Sequence, residues 1–190
     1  MAVAARDLSQ FVPVTSPRAR SERALVRDAS RGSEQALAEL FRQTWPGAYR
    51  AAFLIVHDHA AAEDIAQEAI VAAIRNLDRF DRRRPLTPWL HRIVVNRAID
   101  WTRVRKLRGE VFELPDPAGA DDQPAAPSDP VLAALAALAP DQRAVIVLRH
   151  LLGYAPGEIA GMLALPRGTV NSRLRRGLDT LGSRLEDGRP

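Results

Sequence analysis

The sequence predicts an all-α protein: two small helical domains joined by a flexible linker, the C-terminal one a helix-turn-helix. Three observations carry this. Apolar residues recur at helical spacing through most of residues 21–108 and again through residues 130–181. Between them, Gly109 to Asp129 holds several prolines, small residues and six acids, with no Lys or Arg. Such a stretch cannot bury a core. Finally, Pro166, Arg167 and Gly168 mark a tight turn between a short apolar helix and a longer one with a polar outer face. The expected organisation is a disordered tail at 1–20, a helical domain at 21–108, an acidic linker at 109–128 and a second domain at 129–190.

In the first domain, SERALVRDASRG from Ser21 predicts a short helix ended by Gly32 at the C′ position. Ser33 can cap the next helix, with Glu34 in its first turn. Ala36, Leu37, Leu40 and Phe41 share one side of that helix, and Pro46-Gly47 should kink or split it. The pattern resumes through Tyr49, Phe53, Leu54 and Val56, and residues 57–59 (His-Asp-His) mark a turn. From about Ala60 to Arg79 a further helix buries Ile65, Ala66, Ala69, Ile70, Ala72, Ala73 and Leu77. Asp64, Gln67, Glu68, Val71, Arg75 and Asp78 share the opposite arc. That arc reads either as solvent surface or as a docking face with an apolar centre and a charged rim. By pattern alone solvent surface is favoured, because single exposed apolar residues are ordinary.

From Arg82 to Arg108, nine residues are Arg or Lys and only Asp100 is acidic. These cations alternate with Trp89, Leu90, Ile93, Val94, Val95, Ile99, Trp101 and Val104, so they are not a solvated run. Pro88 suits a first helical turn. On a wheel of about 100° per residue, Trp89, Leu90, Ile93, Val94, Trp101 and Val104 form one broad side. Arg92, Asn96, Ile99 and Arg103 form another. Guanidinium groups on such a stripe suit phosphate, and an amide suits base edges. An amphipathic helix with ordinary surface arginines is the plainer alternative.

In the second domain, Asp129-Pro130 is a helix start, and a short apolar helix follows from Val131 to Leu138. Pro140-Asp141 starts another, carrying Val145, Ile146 and Leu148, with Gly153 to end it. Pro156 and Glu158 begin a third, with Ile159, Ala160 and Leu163 inward. The last helix runs to about Leu181 or beyond. Val170, Leu174, Gly177, Leu178 and Leu181 face its core, while Ser172, Arg175, Arg176 and Asp179 face out. Two short helices, a turn and a final helix with an Arg/Ser/Asn face fit a helix-turn-helix whose second helix enters a major groove. Any small bundle with a basic outer helix would share part of this pattern.

The net charge is +4, with Lys106 the only lysine, and the cations are concentrated in patches. That favours a polyanion partner, nucleic acid before membrane. With no cysteine, disulfides, thiolate chemistry and cysteine zinc sites are excluded. No apolar run approaches a membrane span and no signal-peptide core opens the chain, so a cytoplasmic protein without membrane insertion is expected. An enzyme is not expected. There is no glycine-rich phosphate loop or nucleophile elbow. His57 and His59 beside Asp58 lack further metal ligands, so neither metal nor cofactor is expected.

Four segments carry a family resemblance: AEDIAQEAIVAAIRNLDRF (62–80), PWLHRIVVNRAIDWTRVRK (88–106), LAPDQRAVIVLRHLLGYAPGEIA (138–160) and LPRGTVNSRLRRGLDTL (165–181). DxxQE, WLxxIxxN and GTVxSR, in this order and at these spacings, resemble a bacterial RNA polymerase sigma factor of the extracytoplasmic-function class. The resemblance covers about residues 21–184, apart from the linker. It implies a protein that binds core polymerase and directs promoter recognition, −10 melting and transcription initiation.

It implies that Asp64, Gln67 and Glu68 dock on the polymerase clamp helices, with Val71 and Arg75 joining them, which reverses the preference for bare solvent. It implies that Phe80, the loop Asp81–Leu86 and Asn96 form a pocket for a base flipped from the non-template strand. Extruding that base costs a few kcal/mol. Arg82, Arg83 and Arg84 would hold the single-strand backbone, with Arg92 and Arg103 on the same −10 surface. Asn171, Ser172, Arg175 and Arg176 would read the −35 duplex, and Arg173 would grip phosphate. The acidic linker would thread toward the RNA exit path.

Pro88, Leu86 and Asn171 depart from the common residues of the family at their positions, which leaves the flipped base and the −35 sequence open. An anti-sigma partner is compatible with the resemblance, though no residue identifies one. A stand-alone helix-turn-helix regulator is the alternative, and the Asp64/Gln67/Glu68 face and the Trp-rich basic helix discriminate against it.

Overall fold

A computed structural model describes residues 19–108 and 130–187. Residues 1–18 of the expected tail, the linker and the Asp129 cap lie outside the described residues, while Ala19 and Arg20, expected in the tail, belong to the first helix. Among the described residues there are helices and no strand. The N-terminal unit comprises α1 (Ala19–Ser30), α2 (Glu34–Val56), α3 (His59–Arg75), a 3₁₀ turn (Leu77–Arg79) and α4 (Leu86–Leu107). The C-terminal unit comprises α5 (Pro130–Ala136), α6 (Pro140–Ile146), a π-helical turn (Val147–Leu151), α7 (Pro156–Leu163) and α8 (Arg167–Asp187).

Local chemistry sets most boundaries. Gly32 takes φ +86° after α1, a conformation that glycine adopts without strain. The Ser33 hydroxyl caps α2 by accepting from the Ala36 N–H at 3.3 Å. His57 ends α2 in the left-handed region, and its N–H donates to Phe53 O. Asp58 then caps α3, accepting from the Ala61 N–H at 3.0 Å. The expected turn at 57–59 is thus one C-cap followed at once by one N-cap.

Of the two outcomes expected at Pro46-Gly47, a kink or a split, the split does not occur: α2 runs from Glu34 to Val56 with Pro46 inside it. Rings on both sides of it stack along one face. Phe41–Trp45, Trp45–Tyr49 and Tyr49–Phe53 have centroids 5.3, 6.2 and 6.2 Å apart. Each such pair contributes about 0.5–1.5 kcal/mol, comparable in sum with the roughly 3 kcal/mol cost of an interior proline. The ladder ends on His59, stacked on Phe53 at 4.4 Å.

Ile55, Val56, Ile70, Val94 and Val95 centre the core of the N-terminal unit. A smaller cluster joins Val26, Leu40, Leu77, Phe80 and Leu86 beneath α1. Val145, Val147, Leu148, Ile159 and Val170 centre the C-terminal unit and belong to the same continuous apolar cluster as Ile55 and Val94. The two units therefore pack on each other. Gly177 is required at the α6–α8 crossing, where an added Cβ would lie 2.9 Å from Ile146 Cγ1.

Several inward and outward assignments change. Ile99 is buried rather than part of the outer stripe, while Val104 and Leu178, expected inside, are both 46% exposed. Phe41 also lies at the surface. Met162, not singled out beforehand, is buried with Ile159. α4 begins at Leu86, two residues before Pro88.

Candidate polymerase and nucleic-acid interfaces

α3 presents its two faces cleanly. Ile65, Ala66, Ala69, Ile70 and Ala73 are buried against α2 and α4. Asp64, Gln67, Glu68, Val71 and Arg75 are all exposed. Their spacing of i, i+3, i+4, i+7 and i+11 puts them on one stripe. Val71 supplies an apolar centre to an otherwise charged and amide surface. Glu68 Oε2 accepts from Arg97 Nη1 of α4 at 2.8 Å. At the helix start Asp58 also accepts from Arg105 at 3.0 Å, and Arg105 lies 4.8 Å from the Trp101 ring centre. These contacts fix α3 against the second half of α4.

The loop before α4 is held at several points. Phe80 is buried against Trp89, with centroids 4.9 Å apart, so it underlies the loop instead of presenting a face. Asp81 accepts from the Arg83 N–H at 3.0 Å and lies 3.6 Å from Arg84 Nε. Glu22 of α1 accepts from the Leu86 N–H at 2.8 Å, replacing the missing cap at the start of α4. Arg82 donates to Ser30 Oγ at 2.8 Å. The side chains of Arg82, Arg83 and Arg84 stay exposed. On α4, Arg92, Asn96 and Arg103 are exposed, and they continue the cationic surface along the helix.

In the C-terminal unit, Glu158 reaches back to the Ala155 N–H at 2.7 Å to start α7. Ala164 ends α7 at φ +52°, and the Leu165 N–H donates to Ala160 O. The chain therefore turns tightly before α8 starts at Arg167. Val170, Leu174 and Gly177 of α8 face inward. Asn171, Arg175 and Arg176 are exposed. Ser172 is half-buried and its hydroxyl donates to Thr169 O at 2.9 Å. Arg173 is turned aside: its Nη2 lies 3.2 Å from Asp141 Oδ2.

Sequence reasoning missed a set of residues where the units meet. Arg143 is 4% exposed, and burial lowers its pKa to about 10, so it stays charged at neutral pH. His91 Nδ1 lies 2.8 Å from the Tyr154 hydroxyl. Burial lowers the pKa of His91 to about 4, against the opposing effect of a hydrogen bond with the Gly47 backbone. Burial, with Arg143 nearby, lowers that of His57 to about 4 as well. The one available signal was a cation, Arg143, three and four residues before Ile146 and Val147 on an apolar face. His57 is buried and the exposed His59 pairs with the Tyr49 hydroxyl at 2.7 Å. Among the described residues no group of three or more metal-ligating side chains occurs, and no helix is long and apolar enough to cross a membrane.

Two helical units with separate cationic faces, one of them a helix-turn-helix, suit a bipartite nucleic-acid-binding protein, and α3 adds an exposed polar stripe of its own. The chain matches the family described as Sigma-70 region 2 over residues 40–108 and that described as Sigma-70, region 4 over residues 128–181. It is 37% identical to RNA polymerase sigma-E factor of Streptomyces avermitilis, over 72% of this chain and 78% of that one. It is 32% identical to ECF RNA polymerase sigma factor SigM of Mycobacterium tuberculosis, over 83% and 81%. For SigW of Bacillus subtilis the figures are 29%, 85% and 95%. The solved structure of CnrH in complex with the cytosolic domain of CnrY is similar at TM-score 0.64 and 26% identity. That match covers 89% of this chain and 99% of the matched chain. The chain belongs to the ECF class of RNA polymerase sigma factors, the initiation factors that direct transcription from specific promoters.

Proposed function

We propose a division of labour within this sigma factor. α3 docks on core polymerase through Asp64, Gln67, Glu68, Val71 and Arg75. The loop Asp81–Leu86 and α4 engage the −10 element through Arg82, Arg83, Arg84, Arg92, Asn96 and Arg103, with Phe80 supporting the loop from below. α8 reads the −35 duplex through Asn171, Ser172, Arg175 and Arg176, with Arg173 on phosphate. Under this reading the domain boundaries are 21–108 and 129–190, and the protein acts in the cytoplasm as a binding factor, not an enzyme. A sequestering protein belongs to the same reading, supported by the similar structure of CnrH in complex with the cytosolic domain of CnrY.

The observation that carries the reading is the α3 stripe. Four polar side chains and one valine are exposed together on a helix whose other face is fully packed. A rim of charge around an apolar centre is the composition of a docking face. The test is Asp64→Arg combined with Glu68→Arg. Both residues are on the surface, so the helical circular dichroism should be unchanged. Co-purification with core polymerase and run-off transcription should both be lost. A variant that still binds core as the wild type does would reject the assignment of α3.

A further inference from the structure

α1 lies outside the residues matched as Sigma-70 region 2, which begin at 40, and carries none of the proposed polymerase or DNA contacts. Three of its features nevertheless converge on the loop before α4. Glu22 Oε1 accepts from the Leu86 N–H at 2.8 Å. Ser30 Oγ accepts from Arg82 Nη2 at 2.8 Å, and donates its own proton to Arg27 O at 2.8 Å. Between these two residues, Val26 and Ala29 are buried in one cluster with Leu77, Phe80 and Leu86.

Each contact supplies something the loop lacks. A helix start leaves N–H groups without intrahelical acceptors. Pro85, at the cap position of α4, offers no side-chain acceptor. Glu22 brings one from 64 residues away, and a carboxylate there also complements the positive end of the helix dipole. The proton of the Ser30 hydroxyl is engaged by Arg27 O, so the oxygen faces Arg82 as an acceptor. Glu22 and Ser30 stand ~12 Å apart along α1, at ~1.5 Å per residue. They tie the two ends of the Arg82–Leu86 stretch to one helix.

We propose that α1 is the frame of the −10 loop, with Glu22 and Ser30 as positioning residues that hold the loop in its DNA-binding shape before the strand arrives. The proposal rests on the reading of this loop as a −10 contact. A loop that is already ordered does not have to be ordered by the strand. Apparent affinity for single-stranded DNA then rises with the fraction of chains in that shape. Charge alone predicts the reverse. Glu22 is an acid set against a loop of three arginines, and Ser30 occupies a guanidinium that a phosphate could take. By charge, deleting either group should strengthen DNA binding.

The test uses holoenzyme reconstituted from core polymerase and the full-length chain. The probe is a promoter selected by the wild type from a genomic library, with its −10 region held open by mismatches. Glu22→Ala should weaken binding to this template by about 2- to 30-fold, the range for a lost helix cap. Ser30→Ala should move it in the same direction. Glu22→Gln loses the charge but keeps an oxygen acceptor, so it should bind at least as tightly as the wild type. Amide hydrogen exchange at Leu86 should quicken in Glu22→Ala and not in Glu22→Gln. Binding by Glu22→Ala as tight as that of the wild type, or tighter, would overturn the role of α1. So would an equal loss in Glu22→Ala and Glu22→Gln, because the loop would then depend on the charge and not on the cap. Arg83→Ala combined with Asn96→Ala separates this role from the −10 reading. Unchanged affinity in that variant would remove the −10 assignment, and the role of α1 with it. A loss there without one in Glu22→Ala would remove only the role of α1.

Discussion

Acidification should loosen this protein well above the pH at which carboxylates usually titrate. His57 and His91 are both buried and both held neutral, with pKa values near 4 against an ordinary 6.5. Above pH 6.5 each ring is neutral whether the chain is folded or not, and its packing contributes fully. Below 6.5 the unfolded chain takes up protons that the folded one refuses, so stability falls until about pH 4 and then levels off. By linkage, each ring costs ~0.8 kcal/mol at pH 6 and ~2 kcal/mol at pH 5, or ~4 kcal/mol for the pair at pH 5. That is a large share of the roughly 5–15 kcal/mol of a typical domain.

Both rings sit where the two units meet, His57 near Arg143 and His91 on Tyr154. The loss should therefore appear as undocking as well as unfolding. Urea unfolding followed by tryptophan fluorescence at pH 7.5, 6 and 5 measures it. His91→Gln, which cannot ionise, should remove about half of the slope. Equal stability at pH 7.5 and pH 5, or an undiminished slope in His91→Gln, would refute the burial argument.

Two smaller changes test other parts of the structure. Arg176→Ala should relax −35 discrimination by about 1–3 kcal/mol if the side chain makes a bidentate base contact. Binding measured on a panel of single-base variants shows this, and a uniform loss across the panel would make it a phosphate contact. Gly177→Ala should destabilise the C-terminal unit by about 1 kcal/mol net, because the clash of its Cβ with Ile146 outweighs the gain in helix propensity. A variant as stable as the wild type in urea would mean that Ile146 can move aside.

The helices, their caps and the turn before α8 were legible in the residues, because capping and a 3.6-residue period are local properties. Ser33, Gly32 and the 57–59 turn act as local chemistry requires. The α3 stripe was legible for the same reason, since one packed face implies one free face. The docking role proposed for it came from the motif and not from the wheel. At Pro46 local sterics left a split open that the structure does not show, whereas the stacked rings on either side of it were visible only as separate aromatic residues.

What only the tertiary structure decided concerns pairs far apart in the chain. The wheel put Ile99 outside and Val104 inside, because it counts angle and does not know which neighbour covers each arc. Nothing in the spacing of Arg143 and Ile55, or of Asp141, Arg103 and Arg173, announces that they meet. Their partners are set by how the C-terminal unit lies on α2 and α4, and that is fixed by the apolar surface the two units bury together. The sequence by itself therefore determined which helices form and which surfaces they offer. The packing determined which of those surfaces are free and which arginines are already taken, because burial depends on contacts between elements and helical period does not.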